Sequence, residues 1–102
     1  MFTIIKISNI NIGSGNLTGY KKGDIVNVIC DALNEEIQLK MDDSKLLTQN
    51  MFLILKSDTS LNRVYIRPFP GQTINGNTDY ITLGSKGEGV TVFSDGLNLW
   101  AV

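Results

Sequence analysis

The apolar residues of this chain never line up as a helical stripe. They come in short runs of about six residues, rich in Ile, Val, Leu and Phe, and each run is closed by Gly, Asn, Asp or Pro. FTIIKI (residues 2–7), DIVNVICDA (24–32), EEIQLKMD (35–42), MFLILK (51–56), RVYIRP (63–68), YITLG (80–84), GVTVFS (89–94) and LNLWAV (97–102) are all too short for stable isolated helices and suit strands. The expected fold is therefore all-β, a small antiparallel β-sandwich or barrel-like domain of about eight or nine short strands. DSKLLTQ (43–49) is long enough only for a turn or one helical turn.

The patterns differ from run to run. EEIQLKMD alternates, with Ile37, Leu39 and Met41 on one side and Glu36, Gln38, Lys40 and Asp42 on the other, so its register is firmly set. DIVNVICDA and MFLILK are apolar on both faces, as inner strands are. Pro68 cannot donate to a ladder and marks a strand end, and Pro70-Gly71 and Asn75-Gly76 mark turns. Further turns are expected at Gly13 to Asn16, at Lys21 to Asp24 and at Asp95-Gly96, and no solenoid repeat stands out. The Gly-rich residues 1–23 read as an extended N-terminal arm or edge region, and residues 24–102 as the β-domain.

Side chains expected in the core or at an interface are Val26, Val28, Cys30, Ile37, Leu39, Phe52, Ile54, Ile66, Val90, Val92 and Trp100. A chain that ends on Trp100, Ala101 and Val102 is expected to pack its last strand rather than fray.

Composition narrows the function. A length of 102 residues makes one domain, and a net charge of -1 without a Lys/Arg cluster leaves no surface for nucleic acid. No apolar run reaches the ~20 residues of a bilayer span, and the opening lacks the marks of a signal peptide. Cys30 is the only cysteine, which suits synthesis in a reducing cytoplasm and a small core side chain rather than a reactive thiol. There is no histidine, so the usual general base and the commonest metal ligand are both missing.

Several motifs invite chemistry. Gly84-Ser85-Lys86-Gly87-Glu88-Gly89 has a lysine among glycines, but a strand follows where a phosphate loop needs a helix, so a hairpin connection is expected. Asn75, Asn77 and Asp79 alternate like a calcium loop, yet the twelfth position is Lys86 instead of a carboxylate. The neighbours Glu35-Glu36 and Asp42-Asp43 point to opposite sides of a strand and do not converge. No catalytic, cofactor or metal residue is expected, and the chain is read as no enzyme. Phe69, Asn75, Asn77 and Tyr80 remain as candidate ligand-facing residues, and Tyr65, Tyr80, Phe69 and Trp100 as aromatics for a sugar if they share a face.

From Asp24 onward the sequence resembles a β-domain that recurs in bacteriophage virion proteins, in tail fibres, spikes and small capsid-attached proteins. The likeness runs through VICDA, the alternating EEIQLKMDDS, MFLILKSD and RVYIRP. It is densest in GQTINGNTDYITLGSKGEGVTVFSDGLNLWAV (71–102), which is similar to that family's Gly-Asp-Thr-Ile-Asp-Gly turn, its L-x-x-x-x-E-x-V-T hairpin and its closing Ser-Asp-Gly-x-x-Trp strand. Gln72, Asn75 and Leu97-Asn98-Leu99 depart from the pattern, and residues 1–23 lie outside it.

The resemblance implies a non-enzymatic structural protein of the virion, made in the host cytoplasm and commonly a homotrimer, with Trp100 on a last buried strand. The first expectation is a capsid decoration or head-fibre component whose arm reaches the shell. The alternatives are a tail fibre or spike module that binds a receptor or host-surface glycan, and a baseplate or tail adaptor. Expected partners are further copies of itself and phage capsid or tail proteins, with no nucleic acid and no membrane. Trimerisation also suits the residues, because two-sided apolar strands in so short a chain need covering and sheet edges need protection.

Overall fold

The computed structural model describes residues 2–8 and 14–102, with side chains from residue 16 in the second stretch. The described residues form nine strands: β1 (Phe2–Ser8), β2 (Ser14–Asn16), β3 (Ile25–Asp31), β4 (Ile37–Lys40), β5 (Met51–Lys56), β6 (Val64–Arg67), β7 (Ile81–Leu83), β8 (Gly89–Ser94) and β9 (Leu99–Ala101). A single 3-10 turn at Ser44–Leu46 follows β4, N-capped by Asp43. One sheet has the order β1-β3-β5-β8-β9 and the other β2-β4-β6-β7.

This order corrects two expectations. Neither sheet is purely antiparallel: β1, β3 and β5 run parallel in one sheet, as do β2, β4 and β6 in the other. Up to β6 the chain winds like a short solenoid, crossing from sheet to sheet and laying each strand beside the one two before it. Phe2 faces Ile25 and Ile25 faces Met51, so one winding takes about 25 residues. The repeat escapes a reading by eye because it is carried by backbone register and by corners of unequal length, while the side chains at equivalent places differ.

Beyond β6 the direction reverses. β7 adds to β6, β8 to β5 and β9 to β8, all antiparallel, and they close that end of the winding. The glycine-rich stretch 84–88 carries the chain from one sheet to the other rather than joining a hairpin pair, and the Glu88 carboxylate accepts from the N–H groups of Gly84 and Ser85. The hairpin expected at Asp95-Gly96 is present, as β8 and β9. Of the other expected turns, Lys21 to Asp24 closes with an Asp24 N–H to Lys21 C=O bond of 3.0 Å, Ser14–Asn16 forms β2, and Gly13 lies outside the described residues.

The core lies between the sheets. Val26, Phe52 and Val92 form one inward row of the first sheet, Val28 and Ile54 the next, and both face Ile37, Leu39, Val64, Ile66 and Leu83 of the second. Tyr20 meets Phe52 edge to face at 5.1 Å between ring centroids. Residues expected to form an arm belong partly to this body. β1 pairs with β3 along its whole length as an edge strand, and Ile7 and Leu17 are in the core.

Polar side chains hold the corners where the winding steps up. Asn50 Nδ2 donates to the carbonyls of Lys21 and Asp24 at 2.9 and 3.0 Å, and Asp24 Oδ2 accepts from Thr3 Oγ1 at 2.7 Å. At the other end of the same strands, Asp58 Oδ1 accepts from the Ala32 N–H at 2.8 Å. Asn62 Nδ2 donates to the Ala32 carbonyl at 2.9 Å, and the Ser60 hydroxyl donates to Asp58. These bonds satisfy backbone groups that a parallel crossover leaves without ladder partners.

Candidate functional site

The two sheets turn opposite kinds of surface outward. Residues directly opposed in register share a face, so each outward row can be read across the first sheet. One row runs Phe2, Ile25, Met51, Phe93 and Trp100, apolar from edge to edge. The next runs Ile4, Asn27, Leu53 and Thr91, with Val102 bonded to Thr91 through both backbone groups at 2.9 and 3.0 Å. The third runs Lys6, Ile29, Leu55 and Gly89. Phe2 is 61% exposed, Ile4 59%, and Ile25, Met51, Leu53, Leu55 and Phe93 all remain open to solvent.

Two features shape this face. Gly89 leaves it hollow: a Cβ there would lie 2.9 Å from the Ile54 carbonyl oxygen, so no side chain fills the place beside Leu55. The resulting depression has a volume of about 460 Å³ and is bordered by Phe2, Ile4, Asn27, Leu53 and Val102. Within it stands Asn27, whose Nδ2 is shielded from water and has no hydrogen-bond partner. It is the one amide among apolar neighbours, and leaving it unmatched carries a desolvation cost.

The second sheet presents polar groups instead. Gln38, Tyr65 and Thr82 form one outward row, and Lys40 and Arg67 the next. Arg67 donates through Nε to Gln38 Oε1 at 2.8 Å, pairs with Asp79 at 3.3 Å, and lies over the Tyr80 ring at 4.8 Å. Tyr80 in turn meets Tyr65 edge to face at 4.9 Å. The guanidinium covers one face of the Tyr80 ring.

Of the core or interface candidates, Val26, Val28, Cys30, Ile37, Leu39, Phe52, Ile54, Ile66 and Val92 are buried and Val90 is partly buried against them. Cys30 has its thiol pushed up to about 12 by burial and by the nearby Asp58 charge. Trp100 is not on the buried side. It stands 41% exposed in the outward row, while its neighbour Leu99 fills the core. Its indole Nε1 donates to Asp95 Oδ2 at 2.9 Å, and Asp95 also accepts the N–H groups of Asn98 and Leu97. Hydrogen bonds from Asn98, Trp100 and Leu97 hold the Asp95 carboxyl down to about 2.

The ligand-facing candidates do not converge. Asn75, at φ 52°, uses its amide on one backbone: Nδ2 donates to the Ala101 carbonyl at 3.0 Å and Oδ1 accepts the Ala101 N–H at 2.8 Å. It fastens β9 as a substitute strand would. Asn77 donates through its N–H to the Ile74 carbonyl, and its own carbonyl accepts from Ile74, closing the tight loop. Tyr80 is engaged with Arg67 and Tyr65, and Phe69 borders a separate depression with Pro68, Pro70 and Met41. Tyr65 and Trp100 lie on different sheets.

Sequence reading missed the buried pair Lys56 and Asp58 and the part played by Asn27. For Lys56 the signal was its in-phase place after Phe52 and Ile54, which puts it on the inward side of β5. Among the described residues no group of three or more His, Cys, Asp or Glu could hold a metal ion, and no helix is long and apolar enough to cross a membrane. Comparison with protein-family models, with curated proteins and with solved structures found no match.

Proposed function

We propose that this chain is a non-enzymatic structural subunit of a bacteriophage particle, assembling as a homotrimer at the particle surface in a capsid decoration or head fibre. The observation that carries the reading is the outward face of the first sheet, where Phe2, Ile25, Met51, Phe93 and Trp100 form an unbroken apolar row and Ile4, Leu53, Leu55 and Val102 extend it, all open to solvent. Monomers rarely leave a contiguous apolar patch beyond a few hundred Å². The second support is the resemblance of residues 24–102 to virion β-domains, densest over 71–102.

Polar side chains outside that face chiefly serve the fold itself. Asp24, Asn50, Asp58, Asn62, Asn75 and Asp95 are each tied to backbone groups at a corner or turn. That is the economy of a rigid building block rather than of a site that must bind and turn over a substrate. Mass measurement of the purified protein tests the trimer, and antibody labelling of intact particles tests the location. A monomer at millimolar concentration would refute the assembly, and label confined to the tail would refute the shell position in favour of a tail adaptor.

A second reading draws on one specific cluster. Tyr65, Tyr80, Arg67 and Gln38 on the outward side of the second sheet combine aromatic edges with fixed polar groups, as glycan-binding surfaces do. Glycan-array binding that disappears in Tyr80→Ala, with assembly intact, supports a receptor-binding module.

A further inference from the structure

We infer that the outward face of the first sheet is the contact between copies of this chain, with Asn27 as the hydrogen-bonding group that sets how the copies meet. The inference rests on the self-association proposed above and names its surface.

Size supports a second copy as the occupant. The exposed apolar residues of the two rows, with Leu55 and Val102, leave on the order of 800 Å² accessible, the share that one partner brings to a standard interface. Charge supports it as well. Lys6 and Asp31 lie toward the far end of the face, and the two apolar rows carry no charged side chain, so the patch offers no charge pattern for a partner of opposite sign. A face without charged side chains in these rows meets a copy of itself without like-charge repulsion. The polar face of the second sheet, built on the same winding, shows that the difference is not imposed by the architecture.

Geometry accommodates three copies. Five strands spaced ~4.8 Å apart make a wall about 24 Å wide, and three such walls around an axis each stand about 7 Å from it, little more than the ~5 Å a side chain fills between packed sheets. Asn27 sits on β3, in the middle row of the wall. An amide carries both a donor and an acceptor, so amides from neighbouring copies can satisfy one another, and the loosely held terminal torsion lets Nδ2 turn outward. One matched polar group in an apolar contact fixes register and copy number, as a buried Asn does in helical zippers.

The test is sedimentation of the full chain beside three variants. Leu53→Lys, at an outward position that the fold does not need, is expected to be monomeric with its far-ultraviolet dichroism unchanged. Lys40→Glu, on the second sheet, is expected to assemble like the parent. Asn27→Leu is expected to associate at least tenfold more tightly but into mixed sizes, and a single unchanged size would remove Asn27 from its assigned part. An assembled parent with an equally assembled Leu53→Lys overturns the surface and leaves the self-association standing, whereas a monomeric parent overturns both. The unmodified protein supplies a readout free of folding defects: acrylamide quenching of Trp100 should fall at least twofold across the association range, and constant quenching through that range overturns the inference.

Discussion

Lys56 Nζ lies 2.7 Å from Asp58 Oδ2, with the lysine side chain wholly cut off from solvent and the aspartate nearly so. Asp58 also accepts the N–H groups of Ala32 and Ser60 and the Ser60 hydroxyl, so a single carboxylate joins the end of β5 to the corner after β3. Removing it strands a buried ammonium. Asp58→Ala should cost about 3 to 5 kcal/mol in urea unfolding. Because the loss arises from an uncompensated charge, the double change Lys56→Met with Asp58→Ala should recover more than half of it, and a double-mutant cycle measures the coupling.

The same carboxylate predicts how acid acts on the fold. Burial pushes its pKa up, but the hydrogen bonds from Lys56, Ser60 and the Ala32 N–H outweigh it and leave the group well below the usual carboxylate range. A carboxylate depressed in the folded state stabilises fully above its unfolded value of about 3.9, and that contribution is lost as pH falls toward the folded value. The urea midpoint should therefore be flat from about pH 7 to 5 as far as Asp58 is concerned, and fall below about pH 4. In Asp58→Asn the acid limb should be shallower.

Asp95 gives a local probe of the last hairpin. With its carboxyl held down to about 2, the indole N–H of Trp100 should keep its hydrogen-bonded chemical shift through pH 4 and move only near that value. A midpoint close to the ordinary 3.9 of an aspartate would show that the Asp95 bonds are not formed in solution.

Two aromatic truncations should differ sharply. Phe52 is fully buried, and Phe52→Ala should cost about 3 to 5 kcal/mol. Trp100 faces outward, and Trp100→Ala should cost the separated subunit only about 1 kcal/mol. Chemical unfolding at low protein concentration checks both.

Gly89→Ala should destabilise by about 1 to 3 kcal/mol, because its Cβ would press on the Ile54 carbonyl, a backbone atom that cannot step aside. A melting temperature within a degree of the parent would show that β8 shifts freely along β5.

Much of the body was legible in the residues. Alternation alone put Ile37, Leu39 and Met41 inside, and all three are buried. Two-sided apolar runs put β3 and β5 in the interior of a sheet, where they are. Trp100, expected in the core or at an interface, is on the outward side of its strand, because phase outranks size. In LNLWAV, Leu99 and Ala101 share one side of the strand and Trp100 takes the other, so the period of two had the answer. Parallel winding was hidden for a different reason. It is specified by which strand lies beside which, and the bonds that decide it, such as Asn50 to Asp24 and Asp58 to Ala32, join residues that no local pattern connects. The apolar outward face was visible only as excess, since a sequence shows that both sides of a strand are greasy without showing which is covered.

The reversal of direction after β6 makes the two ends of the winding unlike among the described residues. Antiparallel strands seal the side of β7 and β9, each a three-residue strand, while β1 offers seven residues of backbone along its free edge. A seven-residue edge is a longer template for strand pairing than either three-residue edge, so edge-to-edge association of the folded chain would start at β1.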